Sequence, residues 1–151
     1  MSHSDYPADE LPPTDEVTAA EGRYLCGVLY QRLQDGSPVS NRELTDYLGV
    51  SGASVTGMSK ALADAGLLTY ERYHGVELTV RGDRLARRLL FGRCAVEACF
   101  ADRFGIELLA EQAGRIATEL DATQIDSLSD RADLPCTSHC EATTPADCGR
   151  L

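Results

Sequence analysis

Leu25, Val28, Leu29 and Leu33 stand three and four residues apart and predict the apolar face of a helix over about residues 18–34. Thr18 and Glu21 form a capping box at its start, where hydroxyl and carboxylate satisfy backbone N–H groups the helix leaves unpaired. Asp35-Gly36 ends this helix and Pro38 prevents its resumption. A shorter helix follows, capped by Ser40 with Glu43 completing a second box, Leu44 and Leu48 inward and Gly49 closing it. Ser51 caps a third helix, with Val55, Met58, Leu62 and Ala65 as its buried stripe and Gly66 as its stop. The pattern then turns β-rich over 67–73 and 76–80, two runs that meet at His74-Gly75 as a hairpin. A long helix starts after Arg81-Gly82 and reaches about Phe104, either unbroken or kinked at Gly92. Residues 108–120 read as a helix with Leu109, Ala113, Ile116 and Leu120 inward, and Asp121 caps a last one to about Asp130.

The fold class is therefore mainly α with a small β-hairpin, a winged helix-turn-helix over 17–82 followed by a helical domain over 83–130. Residues 1–16 are acidic, contain Pro and lack periodicity, and are expected to be disordered. Residues 131–151 form a tail rich in Pro, Thr, Ser and Cys.

In such an arrangement the third helix enters a DNA groove, its outward face reading bases while the flanks hold phosphates. That face carries Ser54, Thr56, Gly57 and Lys60, with Ser51 at its start. Short hydroxyls exchange hydrogen bonds with base edges, and Gly57 permits close approach. Arg72, Tyr73 and His74 at the wing tip suit backbone or minor-groove contact, and Arg81 and Arg84 suit phosphates. The plainer reading of the same residues is a solvated helix face. The order helix–turn–helix–hairpin, the glycine positions and the local charge together favour double-stranded DNA as the partner.

The charge deserves weight because the chain as a whole is at −10. Residues 1–40 are net −5 and 94–151 net −7, whereas 41–93, which hold the recognition helix and wing, are net +2. One Lys stands against thirteen Arg, and Asp and Glu are abundant, as expected of a halophilic cytosol. At molar salt the Debye length is about 3 Å, so the bulk negative charge repels DNA only weakly. Neither a membrane span nor a secretory leader is apparent, which places the protein in the cytoplasm.

Tyr24-Leu25, then Glu43-Leu44, Leu48-Gly49-Val50-Ser51, Ser54-Val55-Thr56, Gly66-Leu67-Leu68, Tyr73, Gly75-Val76, Leu78-Thr79 and Gly82 resemble the diphtheria-toxin-repressor and manganese-transport-regulator family. The resemblance spans about 18–128 and is densest up to Gly82. It implies a metal-dependent transcriptional repressor that dimerises through the helices after the wing and binds a pseudo-palindromic operator. The chain departs from the family at its metal pocket. Arg23 stands where the family has a ligand before the Tyr-Leu pair, and Cys26 stands at a second ligand position. Arg93 replaces the His of a His-x-x-x-Glu pair whose Glu is kept as Glu97, and Gly114, Ala117 and Thr118 fall at the ligand positions that the resemblance assigns to the dimer-domain helix. Family-type Mn or Fe binding is therefore not expected. Two readings stay open: an arginine–Glu97 pair that stands in for the metal and holds the active geometry, or a decayed site with surface arginines.

Cys136, His139, Cys140 and Cys148 in the tail form a ligand set sufficient for Zn or Fe, against the alternative of a structureless tail with incidental thiols. Cys26, Cys94 and Cys99 read as core residues; a sharper reading makes Cys26 and Cys94 redox-sensing thiols whose pKa is lowered by Arg23 and Arg93. Three functions remain in competition: a regulator with altered effector control, an iron- or manganese-dependent repressor using other ligands, and a protein-interaction or metal-buffering module that does not bind DNA. No catalytic constellation is present, so an enzyme is not expected.

Overall fold

The computed structural model describes residues 16–134, 136 and 138–147. The expected disorder of 1–15 and the ligand role of Cys148 lie outside the described residues. Three helices open the fold: α1 (Ala19–Asp35), α2 (Asn41–Leu48) and α3 (Gly52–Asp64). The Thr18–Glu21 capping box forms in both directions. At α2 the second box is half formed, because the Glu43 carboxylate accepts from the Ser40 hydroxyl instead of the Ser40 N–H. Gly49 ends α2 at φ 68, a left-handed conformation that costs glycine little.

The buried stripe of α3 differs from the expected one. Val55, Ser59 and Leu62 are buried, Met58 is only half-buried and Ala65 is exposed. Ser59 is tolerated inside because its hydroxyl donates to the Val55 carbonyl at 2.8 Å and bonds the Tyr24 phenol, which ties α3 to α1. Burial raises the Tyr24 pKa against the lowering effect of that bond, with Tyr70 adding to the rise.

The wing consists of β1 (Leu68–Glu71) and β2 (Gly75–Leu78), antiparallel with Leu68 opposite Leu78 and Glu71 opposite Gly75. Both strands are shorter than the β-rich runs. Val80 starts helix instead, because Thr79 caps it by accepting from the Gly82 N–H at 3.0 Å. Val39, just before α2, exchanges two backbone hydrogen bonds with Val76 and widens the hairpin by one bridge. Gly82 is required by contact: a Cβ there would lie 1.7 Å from the Leu67 carbonyl oxygen.

Helix α4 (Val80–Phe104) runs unbroken past Gly92 and is the spine of the molecule. Leu85, Ala86, Leu90 and Cys94 pack into one apolar cluster with α1, α2, α3 and the wing. Phe91, Ala95 and Val96 pack into a second cluster with Ala113 of α5 (Ala110–Thr118) and Ile125 of α6 (Ala122–Ala132). Leu109, expected inward, is 68% exposed because α5 begins one residue after it.

The tail is packed where it is described. His139, Cys140 and Ala142 are buried, and a short 3-10 turn covers Pro145–Asp147. Arg87 of α4, 1% exposed, holds this segment. Its Nη1 donates to the carbonyls of Cys140 (3.1 Å) and Ala142 (2.7 Å), and its Nε donates to Asp83 (3.1 Å). The Cys140 N–H returns a bond to the Arg87 carbonyl at 2.9 Å. A buried guanidinium costs several kcal/mol unless its donors are satisfied, and here a carboxylate and two carbonyls satisfy them. Asp147 caps the turn by accepting from the Thr143 hydroxyl and from the Thr143 and Thr144 N–H groups; these bonds hold its pKa down at about 2.

Candidate nucleic-acid interface and effector cavity

Helix α3 and the wing bound a groove of about 640 Å³ that also takes in the start of α2. Thr56, Lys60, Arg72, Tyr73 and His74 line it. Lys60 and Gly57 are exposed, and nothing stands within 4 Å of where a Gly57 Cβ would be. Ser51 and Ser54 are exposed and bonded to each other (Oγ to Oγ 2.9 Å), with Ser51 also accepting from the Ser54 N–H. Thr56 is half-buried and accepts from Asn41 Nδ2 at 3.1 Å, which fixes the start of α2 against α3. At the tip, Tyr73 is 91% exposed at φ 70, with the Arg72 guanidinium 5.0 Å from its ring centre. A non-glycine residue in that conformation is strained, and exposing a large aromatic there gains nothing for the fold.

Arg81 and Arg84, the two expected phosphate contacts, lie outside this groove. Arg81 is paired with Glu16 and reaches the Ala65 carbonyl, and Arg84 is half-buried. Glu16, expected in the disordered segment, is thereby positioned. Sequence reasoning missed Asn41 and Arg42, which line the groove from the N-terminus of α2. Their signal is their place one and two residues after the Ser40 cap, where helix N–H groups favour anions.

A second cavity, of about 430 Å³, lies between α1, α4, α5 and α6. It brings together Arg23, Cys26, Arg93, Gly114, Ala117 and Thr118, the positions that the resemblance assigns to the family pocket. Glu97 stands one turn beyond, with Oε1 3.3 Å from Arg93 Nε. That nitrogen is buried without a hydrogen-bond partner, so the contact is an ion pair by distance and not a directed bond. Burial works against the Arg93 charge, and the neighbouring Cys26, Cys94, Glu97 and Tyr47 outweigh it, raising the pKa further. Arg23 is exposed and donates from Nη2 to the Leu48 carbonyl at 2.9 Å.

The residues present do not fit a divalent cation. Guanidinium groups have no lone pair to give, and burial pushes the Cys26 thiol up to about 11 despite the opposing effect of Arg93. Cys26 instead approaches the Ala86 carbonyl at 3.6 Å. Burial thus works against the expected low pKa of Cys26 beside the arginines, since desolvation exceeds the attraction of one cation. Among the described residues no three His, Cys, Asp or Glu side chains gather as a metal group. Cys136, His139 and Cys140 do not form a cluster of ligands by themselves; His139 and Cys140 are buried where Arg87 pins the tail. Among the described residues no helix is long and apolar enough to cross a membrane.

Residues 18–76 match the iron dependent repressor, N-terminal DNA binding domain family. The chain is 26% identical over 101 residues to an uncharacterized HTH-type transcriptional regulator of Methanocaldococcus jannaschii, covering 67% of this chain and 79% of that one. It is 30% identical over 63 residues to the HTH-type transcriptional regulator MntR of Shouchella clausii, covering 42% of this chain and 44% of that one. The fold is shared with T. acidophilum IdeR (TM-score 0.67, 23% identity, 83% of this chain and 57% of that one). It is also shared with a manganese-dependent transcriptional repressor (TM-score 0.68, 18% identity, 83% and 62%). The chain thus spans somewhat over half the length of these solved structures. These relatives are transcriptional regulators. The chain therefore has the winged-helix fold of these regulators and is similar, over residues 18–76, to the N-terminal DNA-binding domain of iron dependent repressors.

Proposed function

We propose that the protein is a homodimeric regulator that binds double-stranded DNA at a pseudo-palindromic operator and whose control no longer runs through a divalent metal in the family pocket. The observation that carries this is the contrast between the two sites. The α3–wing groove keeps Lys60, Arg72 and His74 turned to solvent beside Thr56. The cavity holds Arg23 and Arg93 where the family binds a cation. Base contact is assigned to Ser54, Thr56 and Lys60, and backbone contact to Arg42, Arg72, Tyr73 and His74. Self-association is assigned to the helical part, where Phe104, Ile106 and Leu109 expose apolar surface at 67%, 48% and 68%.

Operator fragments recovered by chromatin enrichment, titrated with purified protein at several salt concentrations, test the assignment. Binding should be undiminished by EDTA and unimproved by Mn²⁺ or Fe²⁺. Strong dependence on either metal would favour the iron- or manganese-dependent repressor with other ligands. Absence of enrichment at discrete promoters would favour the protein-interaction module.

A further inference from the structure

The arginine-bearing cavity is too large and too apolar to be explained as a closed guanidinium–carboxylate lock. Arg23 projects from α1, and Arg88 and Arg93 from α4, so three guanidinium groups share its lining. The carboxylates in the lining are Glu111 and Asp126, while Glu97, outside the lining, pairs with the Nε edge of Arg93 at 3.3 Å. Glu111 is 55% exposed and leans toward Arg115 at 3.9 Å, and Asp126 is exposed on α6, so both stand at the rim. Leu89, Phe91, Leu120 and Ile125 give the lining its apolar part. Gly114 leaves open space where a side chain would stand. A volume near 430 Å³ is that of a small-molecule site, and Arg93 keeps a buried Nε with no hydrogen-bond partner.

Resting on the reading that control has left the divalent metal, we propose that this cavity binds a small organic anion, a carboxylate or phosphate carried on an apolar body. The oxyanion head sits on Arg23 and Arg93, whose planar donors match it in pairs. The body sits against Leu89, Phe91 and Ile125. Screening by salt is weaker inside a part-enclosed cavity than on the surface, so the site works at high ionic strength. Its link to the reading head is short. Arg23 donates to Leu48 at the end of α2, and Tyr47 lines the same cavity. An anion that draws Arg23 inward releases that tie.

The test is calorimetric titration of the full chain, in KCl free of other oxyanions, with phenyl phosphate, benzoate, the neutral benzyl alcohol and MnCl₂. One or both anions should bind once per chain with Kd below about 1 mM, and the two head groups separate phosphate from carboxylate preference. Benzyl alcohol and Mn²⁺ should give no saturable signal. Arg93→Gln and Gly114→Leu should each weaken the anion by about tenfold or more. The first keeps the cavity's shape and the second keeps every arginine, and thermal melts establish that both fold. The proposal is overturned by the absence of saturable anion binding, by equal affinity for benzyl alcohol, by unchanged affinity in both variants, or by stoichiometric Mn²⁺ binding that the variants abolish. No DNA is present, so a failure here leaves operator recognition standing, and a failure of operator recognition leaves this site standing.

Discussion

Arg23 Nη2 lies 2.9 Å from the carbonyl oxygen of Leu48, joining the second turn of α1 to the last residue of α2. A cation at that end of a helix also meets the negative end of its dipole. The side chain is exposed, so the bond's stabilisation is modest, about 0.5–1 kcal/mol. Its position matters more, because α2 is the helix on which α3 is set. Arg23→Gln should lower the melting temperature by only a few degrees yet weaken operator binding more than Arg131→Gln, a change at an exposed arginine of α6 that lines neither the groove nor the cavity. Melting curves and DNA titrations on the two variants compare the effects directly; loss of stability without any change in affinity would count against the coupling.

Tyr73 at the wing tip holds φ 70 while 91% exposed. The left-handed conformation costs a non-glycine residue about 1–2 kcal/mol, and glycine gives back about 0.5–1 kcal/mol of that in chain entropy. Tyr73→Gly should therefore leave stability within about 1 kcal/mol or raise it slightly. Operator affinity should nevertheless fall roughly tenfold, about 1.4 kcal/mol. Denaturant melts and binding curves on the same preparation separate the two. Unchanged affinity would mean the strained tip is not a DNA contact.

Lys60 is exposed on α3 and lines the groove, whereas Thr56 is half-buried and held by Asn41. Lys60→Ala should weaken binding on all sequences and reduce the slope of log affinity against log salt by about one. Thr56→Ala should instead relax discrimination among operator variants and leave the slope alone. The idea fails if the slopes of the two variants match that of the parent.

Local signals make much of this fold legible in the chain. The caps at Thr18, Ser40 and Ser51, and the glycines at 49 and 66, act on groups within a few residues, so their sequence positions predict their structural roles. Ser59 and Arg87 are not legible in this way. Each is polar on a helix, and its burial is decided by partners 35 and 53 to 55 residues away in Tyr24, Cys140 and Ala142. The cavity is intermediate: alignment to the family brings Arg23, Cys26 and Arg93 to mind together, but its apolar wall and open volume depend on how α5 and α6 lie across α4.

The tail's attachment through Arg87 gives a prediction about stability. Arg87→Met removes both carbonyl contacts and leaves Asp83 paired with Arg32, 2.6 Å away. Breaking one partner of a buried ionic cluster costs about 3 kcal/mol or more, with Arg32 limiting the loss. Urea unfolding should show this, and limited proteolysis should cut near 138–147 faster in the variant than in the parent. Equal protection of the tail would mean that packing of Cys140 and Ala142 holds it without the guanidinium.

Cys26 offers the clearest pH test. Burial pushes its thiol up to about 11 from an ordinary value of 9.0, with Arg93 pulling the other way. The unfolded chain therefore releases this proton first as pH rises. The contribution to stability is full below pH 9 and is lost as pH climbs toward 11, by roughly 2–3 kcal/mol for a two-unit shift. Cys26→Ser replaces the thiol with a group that does not titrate there. The difference between parent and variant in unfolding free energy should therefore shrink between pH 8 and pH 10.5, whatever other groups ionise in both. At pH 7.5 the same burial keeps the thiolate scarce, so maleimide should modify Cys26 in the native protein far more slowly than after unfolding. Labelling at the rate of an open thiol would refute the burial account and restore Cys26 as a redox-sensing residue beside Arg93.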